Sequence, residues 1–489
     1  MDTEVSKAKV ISSLFWKLME RGGTQGVQFV VQIVLARILV PDDYGMIAII
    51  TVFIMIANVF IQSGFSTALI QKKDTDEVDL SSVFYLSIFV AFLLYIILFF
   101  TAPIIAAFYE IPLLIPVLRI LTITLLFGAF NSLQNAVIAR KMQFRKLFFS
   151  SLGAVLISGT AGIVLAYRGY GVWALVAQQI VNQLLITLIL WFTVKWRPKL
   201  LFSIKRLKGL FSYGWKLLVS SLIDTLYMNL RNLIIGKLYN PDILGFYNRG
   251  DQFPSIIVSN INGSIQSVLL PALASQQENK LRVKDMVRRS IVTSSFILFP
   301  IMFGLAVIAE PLVKILLTYK WLPCVPYLQI FCACYALWPI HTANLQAINA
   351  LGRSDIFLKL EIIKKALGLI ILGVTIFYGS YAIAVGLLVS GIISTFINAY
   401  PNLKLLNYSY KEQWKDIMPS LLLSLVMASM VYTIEWFSMP VWLTLLIQIC
   451  LGVLIYLGLV MIFKLECFTY LMATGKEIIR NRKGVTKCV

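Results

Sequence analysis

LARILVPDDYG (residues 35–45) and IGKLYNPDILG (residues 235–245) are one passage written twice. A basic residue, a proline, an aspartate and a glycine recur as Arg37, Pro41, Asp42, Gly45 and as Lys237, Pro241, Asp242, Gly245, at a constant offset of 200. Upstream, Trp16-Lys17-Leu18 returns as Trp215-Lys216-Leu217 at an offset of 199; downstream, Leu133-Gln134 is matched by Leu345-Gln346. Apolar segments match one another by chance, but shared non-apolar residues at constant spacing do not. The chain is read as an internal duplication.

Composition identifies what is duplicated. Of 489 residues, 59% are hydrophobic and 13% charged, with a mean hydropathy of +0.83. Ordinary globular domains carry roughly a quarter charged residues, so a chain this apolar has too little polar surface to cover a soluble globule. Its solvent is lipid. A span needs about 20 apolar residues, and fourteen such stretches are legible, from 13–39 to 439–463. The predicted fold is an all-α integral membrane protein. Residues 1–200 form one six-helix lobe, 201–405 the second, and 406–489 add two helices and a basic tail. Six is even, so both halves enter the membrane from the same side, which makes the repeat parallel.

Lys plus Arg is 43 against 23 for Asp plus Glu, a net charge of +20. In a soluble protein this excess suggests nucleic acid. Here the basic residues lie between spans, and no other segment is long enough to bind nucleic acid as a domain. With the N-terminus placed in the cytoplasm, thirty Lys and Arg fall in inner segments and six in outer ones, the remaining seven lying within spans. That asymmetry predicts both termini inside. No cleavable leader is read at the N-terminus. The six cysteines (Cys324, Cys332, Cys334, Cys450, Cys467, Cys488) show no metal spacing and lie almost all in or beside spans, where they are expected to pack.

The residues of greatest interest are polar ones inside the spans. The first carries Lys17, Arg21, Gln25, Gln28 and Gln32, and the seventh carries Lys216, Ser220, Asp224, Tyr227 and Arg231 at the same spacing. Steps of four, four, three and four place each set on one helical face. A charged residue near the bilayer centre costs about 2.5–3.5 kcal/mol on insertion scales, so the two stripes are expected to line a wet cavity between lobes. The alternative, strongest for Lys17 and Lys216, is that they snorkel to the interface. Arg119 and the group Glu361, Lys364, Lys365 are further candidates, although Glu361 and Lys365 could form a local ion pair. Neutral amides recur on other spans (Asn58, Gln62, Asn131, Gln134, Asn262, Asn344) and suit either helix–helix hydrogen bonding or a sugar-lined path.

The only histidine is His341, so no histidine-based metal site or triad is expected. Ala473-Thr474-Gly475-Lys476-Glu477 lacks the hydroxyl and leading glycine of a phosphate loop. No cofactor is expected, and no paired carboxylates mark a glycan-assembling enzyme.

LARILVPDDYG (35–45), SGFSTALIQ (63–71), GYGVWALVAQ (169–178) and NPDILGFYNRGDQFP (240–254) resemble the polysaccharide transporter family, most of all its colanic-acid and teichuronic-acid exporter branch. The resemblance covers essentially the whole chain. It implies fourteen helices and the flipping of undecaprenyl-pyrophosphate-linked oligosaccharide across a bacterial inner membrane, with polysaccharide polymerase or assembly proteins as possible partners. On this reading Arg21, Arg119 and Arg231 would hold phosphate oxygens in bidentate forks. Lys17 and Lys216 would attract the anion, Gln25 and Gln28 would meet the glycan, and Glu20 and Asp224 are the protonatable candidates for ion coupling. The alternative is a multidrug-type cation exporter of the same superfamily. Against it stands the excess of Lys17, Arg21, Arg119, Lys216 and Arg231 over Glu20 and Asp224.

Overall fold

The computed structural model describes residues 7–62, 76–141, 143–437, 439–465, 467–469 and 472. Within these residues the fold is helical throughout, with no strand, as expected of a chain that must satisfy every backbone polar group inside lipid. By contact the chain divides into two units, Met1–Gly245 and Phe246–Val489.

The first unit contains α1 (Lys7–Ile38), α2 (Pro41–Gln62), α3 (Glu77–Tyr109), α4 (Leu114–Leu121), α5 (Thr124–Lys141), α6 (Phe144–Tyr167), α7 (Val172–Thr193) and α8 (Ile204–Leu238). It ends in the first turn of α9 (Pro241–Ala274). α1 packs along α6, which packs along α7, while α5 fills the space between α3 and α7. Their shared core includes Phe84, Leu133, Ile138, Leu190 and Trp196. α8, the counterpart of α1 in the sequence repeat, packs instead against α2 and α3.

The duplicated passage begins a helix each time. Pro41 opens α2 and Pro241 opens α9, a position where the missing N–H costs nothing. The two starts cross in contact. A Cβ on Gly45 would lie 1.9 Å from the Pro241 carbonyl oxygen, and one on Gly245 would lie 2.3 Å from that of Pro41. Only glycine allows the two backbones to approach this closely.

The second unit continues α9 and adds α10 (Lys280–Val307), α11 (Ala309–Leu316), α12 (Val325–Ala336), α13 (Trp338–Ala350), α14 (Ser354–Thr375), α15 (Ser380–Leu406), α16 (Tyr410–Tyr432) and α17 (Val441–Ile462). α10 lies against α16, α12 and α13 against α10 and α15, and α17 against α16. Its core includes Phe296, Met427, Val431 and Tyr456, whose hydroxyl donates to the Phe296 carbonyl at 2.9 Å.

Among the described residues, eleven helical stretches are long and apolar enough to cross a membrane. Fourteen spans were expected. The three remaining ones coincide with α1, α8 and α14, helices of 32, 35 and 22 residues. They are long enough to span but more polar, since they carry the two stripes and the Glu361–Lys365 group.

Candidate substrate cleft

α2 and α8 run side by side. At one end Gly236 seats against Ile49, whose side chain lies 2.9 Å from where a Cβ at Gly236 would be, so that end is closed. About two turns back along α8, roughly 12 Å, the helices part around a cleft of ≈ 400 Å³. α2 contributes Met55, Asn58, Val59 and Gln62; α8 contributes Asp224, Thr225, Met228 and Asn229. The volume falls within the ~300–1,000 Å³ range of small-molecule sites.

Asp224 is the only formally charged side chain in this lining, and around it stand the amides of Asn58, Gln62 and Asn229 and the Thr225 hydroxyl. Asn229 donates to the Thr225 carbonyl at 2.9 Å, which orients its amide. Asn58 also faces α5: its Oδ1 lies 3.3 Å from where a Cβ at Gly128 would be, and Gln183 Nε2 of α7 lies 4.0 Å from that point. Along α5 from Gly128, Asn131 and Gln134 are buried, and neither amide has a hydrogen-bond partner. Carboxylate and amide side chains offer donors and acceptors side by side. Beside them the methionines and Val59 supply apolar surface. Such a lining is suited to a hydroxyl-rich ligand.

The two stripes fare differently. Of the α8 stripe, Asp224 lines the cleft. Arg231, two turns further on, is buried with its guanidinium 5.8 Å from the Tyr227 ring centre. Lys216, about two turns before Asp224 on α8, is exposed. On α1, Lys17 bonds Glu20 at 2.7 Å and stands 5.5 Å from the Phe144 ring centre. Gln25 is half-buried and Gln28 exposed. The Arg21 side chain lies outside the described residues. Arg119 is not among the cleft's lining residues: its Nε donates to the Phe99 carbonyl at 3.1 Å and its guanidinium lies over the Phe99 ring at 4.3 Å. The cleft between α2 and α8 therefore gathers Asp224, Asn58 and Gln62 from the candidates, and none of the lysines or arginines.

Other polar residues have local partners. Glu361 pairs with Lys364 at 2.6 Å, three residues on. His341 is enclosed between Asn398, 3.0 Å from Nδ1, and Thr395, 3.4 Å from Nε2. Asn344 exchanges hydrogen bonds with Gln413 at 2.8 and 3.1 Å and accepts from Asn402 at 2.7 Å, joining α13, α15 and α16. Asn262 accepts from Thr342. These amides tie helices together. No cluster of metal-ligating side chains occurs among the described residues, and Cys488 lies outside them. Thr225 and Asn229 were missed in the sequence, because beside a charged stripe a single threonine or asparagine does not stand out.

A family model for polysaccharide biosynthesis proteins matches residues 34–326, well over half the chain. The protein belongs to that family. Similar proteins include the teichuronic acid biosynthesis protein TuaB of Bacillus subtilis (strain 168), 24% identical over 82% of this chain and 85% of that one. Another is the lipopolysaccharide biosynthesis protein WzxC of Escherichia coli (strain K12), 25% identical over 83% of each chain. Among solved structures, the lipid II flippase MurJ in an inward closed conformation superposes with a TM-score of 0.73 at 17% identity, covering 93% of this chain and 98% of that one. An inward-facing multidrug resistance MATE family transporter of the MOP superfamily gives 0.62 at 15% identity, over 78% and 94%. The fold is that of these transporters, and the chain is a multi-pass membrane protein.

Proposed function

We propose that the protein is a flippase that carries undecaprenyl-pyrophosphate-linked oligosaccharide units from the inner to the outer leaflet of a bacterial cytoplasmic membrane, for surface-polysaccharide biosynthesis. The observation that carries this reading is the cleft between α2 and α8, in a member of a polysaccharide biosynthesis family. Its one carboxylate and three amides can pair with sugar hydroxyls, while its methionines accept apolar ring faces. The lipid tail would stay in the bilayer. The fourteen-span topology with both termini inside, the lobes 1–200 and 201–405, and transport by alternating access belong to the same proposal.

Assignment of the phosphate site is narrower than the stripes suggested. Arg119 is engaged with Phe99, so Arg21 and Arg231 are the arginines proposed for the pyrophosphate, with Lys17 and Lys216 attracting the anion. Asp224 is proposed to contact glycan hydroxyls. Glu20, paired with Lys17, is the weaker candidate for ion coupling.

The lining of this cleft also bears on the cation-exporter alternative, because the charge it presents, that of Asp224, is negative. Proteoliposomes separate the two. The expected result is transfer of labelled undecaprenyl-pyrophosphate oligosaccharide to the opposite leaflet, lost in Asp224→Ala and unaffected by a cationic dye. Dye transport with no glycolipid transfer by folded protein would overturn the flippase reading. Flipping unchanged when both proton and sodium gradients are collapsed would remove ion coupling.

A further inference from the structure

Between α7, which ends at Thr193, and α8, which begins at Ile204, the chain holds bulky apolar side chains outward on a fixed backbone. The Lys199 N–H donates to Ser81 Oγ and the Ser203 N–H to Ser82 Oγ, each at 3.0 Å. Both serines are buried at the start of α3. On one flank, Trp196 Nε1 donates to Glu77 at 3.2 Å, and Arg197 donates to the carbonyls of Val194 and Trp196 at 2.6 and 2.8 Å. On the other, Arg206 pairs with Asp76 at 2.9 Å and Asp79 at 3.4 Å.

Between these pins the tip projects. Leu200 is 94% exposed, Phe202 56% and, just beyond, Ile204 63%. Arg197 and Arg206 are bonded to carbonyls and carboxylates of the protein, and Lys195, Lys199, Lys205 and Lys208 are exposed around the tip. A floppy loop could fold its leucine and phenylalanine back against the protein. This one is tethered at both ends and cannot.

We infer that residues 195–208 form an interfacial anchor for an anionic leaflet: Leu200, Phe202 and Ile204 sit among the acyl chains, and the four lysines rest on headgroup phosphates. Two features select lipid as the occupant. The tip lies within ten residues of two membrane helices, so the bilayer surface is already beside it. The cations around an apolar centre match a surface that is negative outside and apolar beneath. This anchor is independent of what the protein transports.

The test uses full-length protein with its cysteines replaced by serine and an environment-sensitive fluorophore on Leu200→Cys. It is reconstituted in phosphatidylcholine vesicles with or without phosphatidylglycerol. A second label on Phe202→Cys guards against a local folding defect at Leu200. The expected result is blue-shifted emission, protection from aqueous iodide, and quenching by brominated acyl chains that is about twofold stronger with phosphatidylglycerol. That gain should vanish when Lys195, Lys199, Lys205 and Lys208 are changed to glutamine. Iodide-accessible probes in both membranes would overturn the anchor and leave the tip to a protein partner. Equal acyl quenching in both membranes would overturn the anionic preference.

Discussion

Replacing Gly45 with alanine tests the duplicated passage most directly. The new Cβ would stand 1.9 Å from the Pro241 carbonyl oxygen and 2.5 Å from its carbon, where ordinary contact begins near 3.4 Å. The first turns of α2 and α9 would therefore have to separate by about 1.5 Å. The obstacle is backbone, so no rotamer change relieves it. Overpacking in a filled core costs about 1–3 kcal/mol, and a collision between two helix backbones belongs at the upper end, about 3 kcal/mol. Gly245→Ala, with its Cβ 2.3 Å from the Pro41 oxygen, should cost nearly as much. Gly373→Ala is the control. Nothing lies within 4 Å of its Cβ, and a helix-interior alanine gains about 0.5–1 kcal/mol over glycine. Thermal unfolding in detergent, followed by a thiol-reactive dye or by size-exclusion profile, should rank Gly373→Ala at or above wild type and both crossing variants several degrees below it. A Gly45→Ala protein as stable as wild type would refute the backbone crossing.

Asp76 caps α3, its Oδ1 accepting from the Asp79 N–H at 2.9 Å; Asp76→Ala should cost about 1 kcal/mol, with Asp76→Asn retaining most of it in the same melting assay. Asp416 accepts both a fork from Arg288 at 2.7 and 2.9 Å and the hydroxyl of buried Tyr408 at 2.8 Å. Because Arg288 is half exposed, the loss in Asp416→Ala should come mainly from the stranded hydroxyl, about 1–2 kcal/mol, and it should change little with added salt. At Asp355, the hydrogen bonds from Arg353 hold the carboxyl at about 2, below its ordinary 3.8. Its stabilising contribution is therefore complete above the ordinary value and lost as pH falls toward about 2. The melting difference between wild type and Asp355→Asn should stay constant from neutral pH to about 5 and narrow below 4; a difference that grew on acidification would show the sign to be wrong.

Sequence alone determined the solvent, the class and the duplication. Lipid was fixed by composition, helices follow because nothing else satisfies the backbone there, and the repeat was carried by Pro41, Asp42, Gly45 and their partners 200 residues on. The polar stripe on α8 was also legible, since helical periodicity places its residues on one face. Periodicity cannot tell which neighbour that face meets. Only tertiary structure decided that α8 packs on α2 while α1 packs on α6, so matched sequences acquired different surroundings. Tertiary contacts also turned Arg119 onto Phe99, whose ring it faces and whose carbonyl accepts from its Nε. Gly236 lets one end of the α2–α8 pair close against Ile49, and the cleft lies further back between the same helices. Its depth and membership depend on distances between helices, which no single helix encodes.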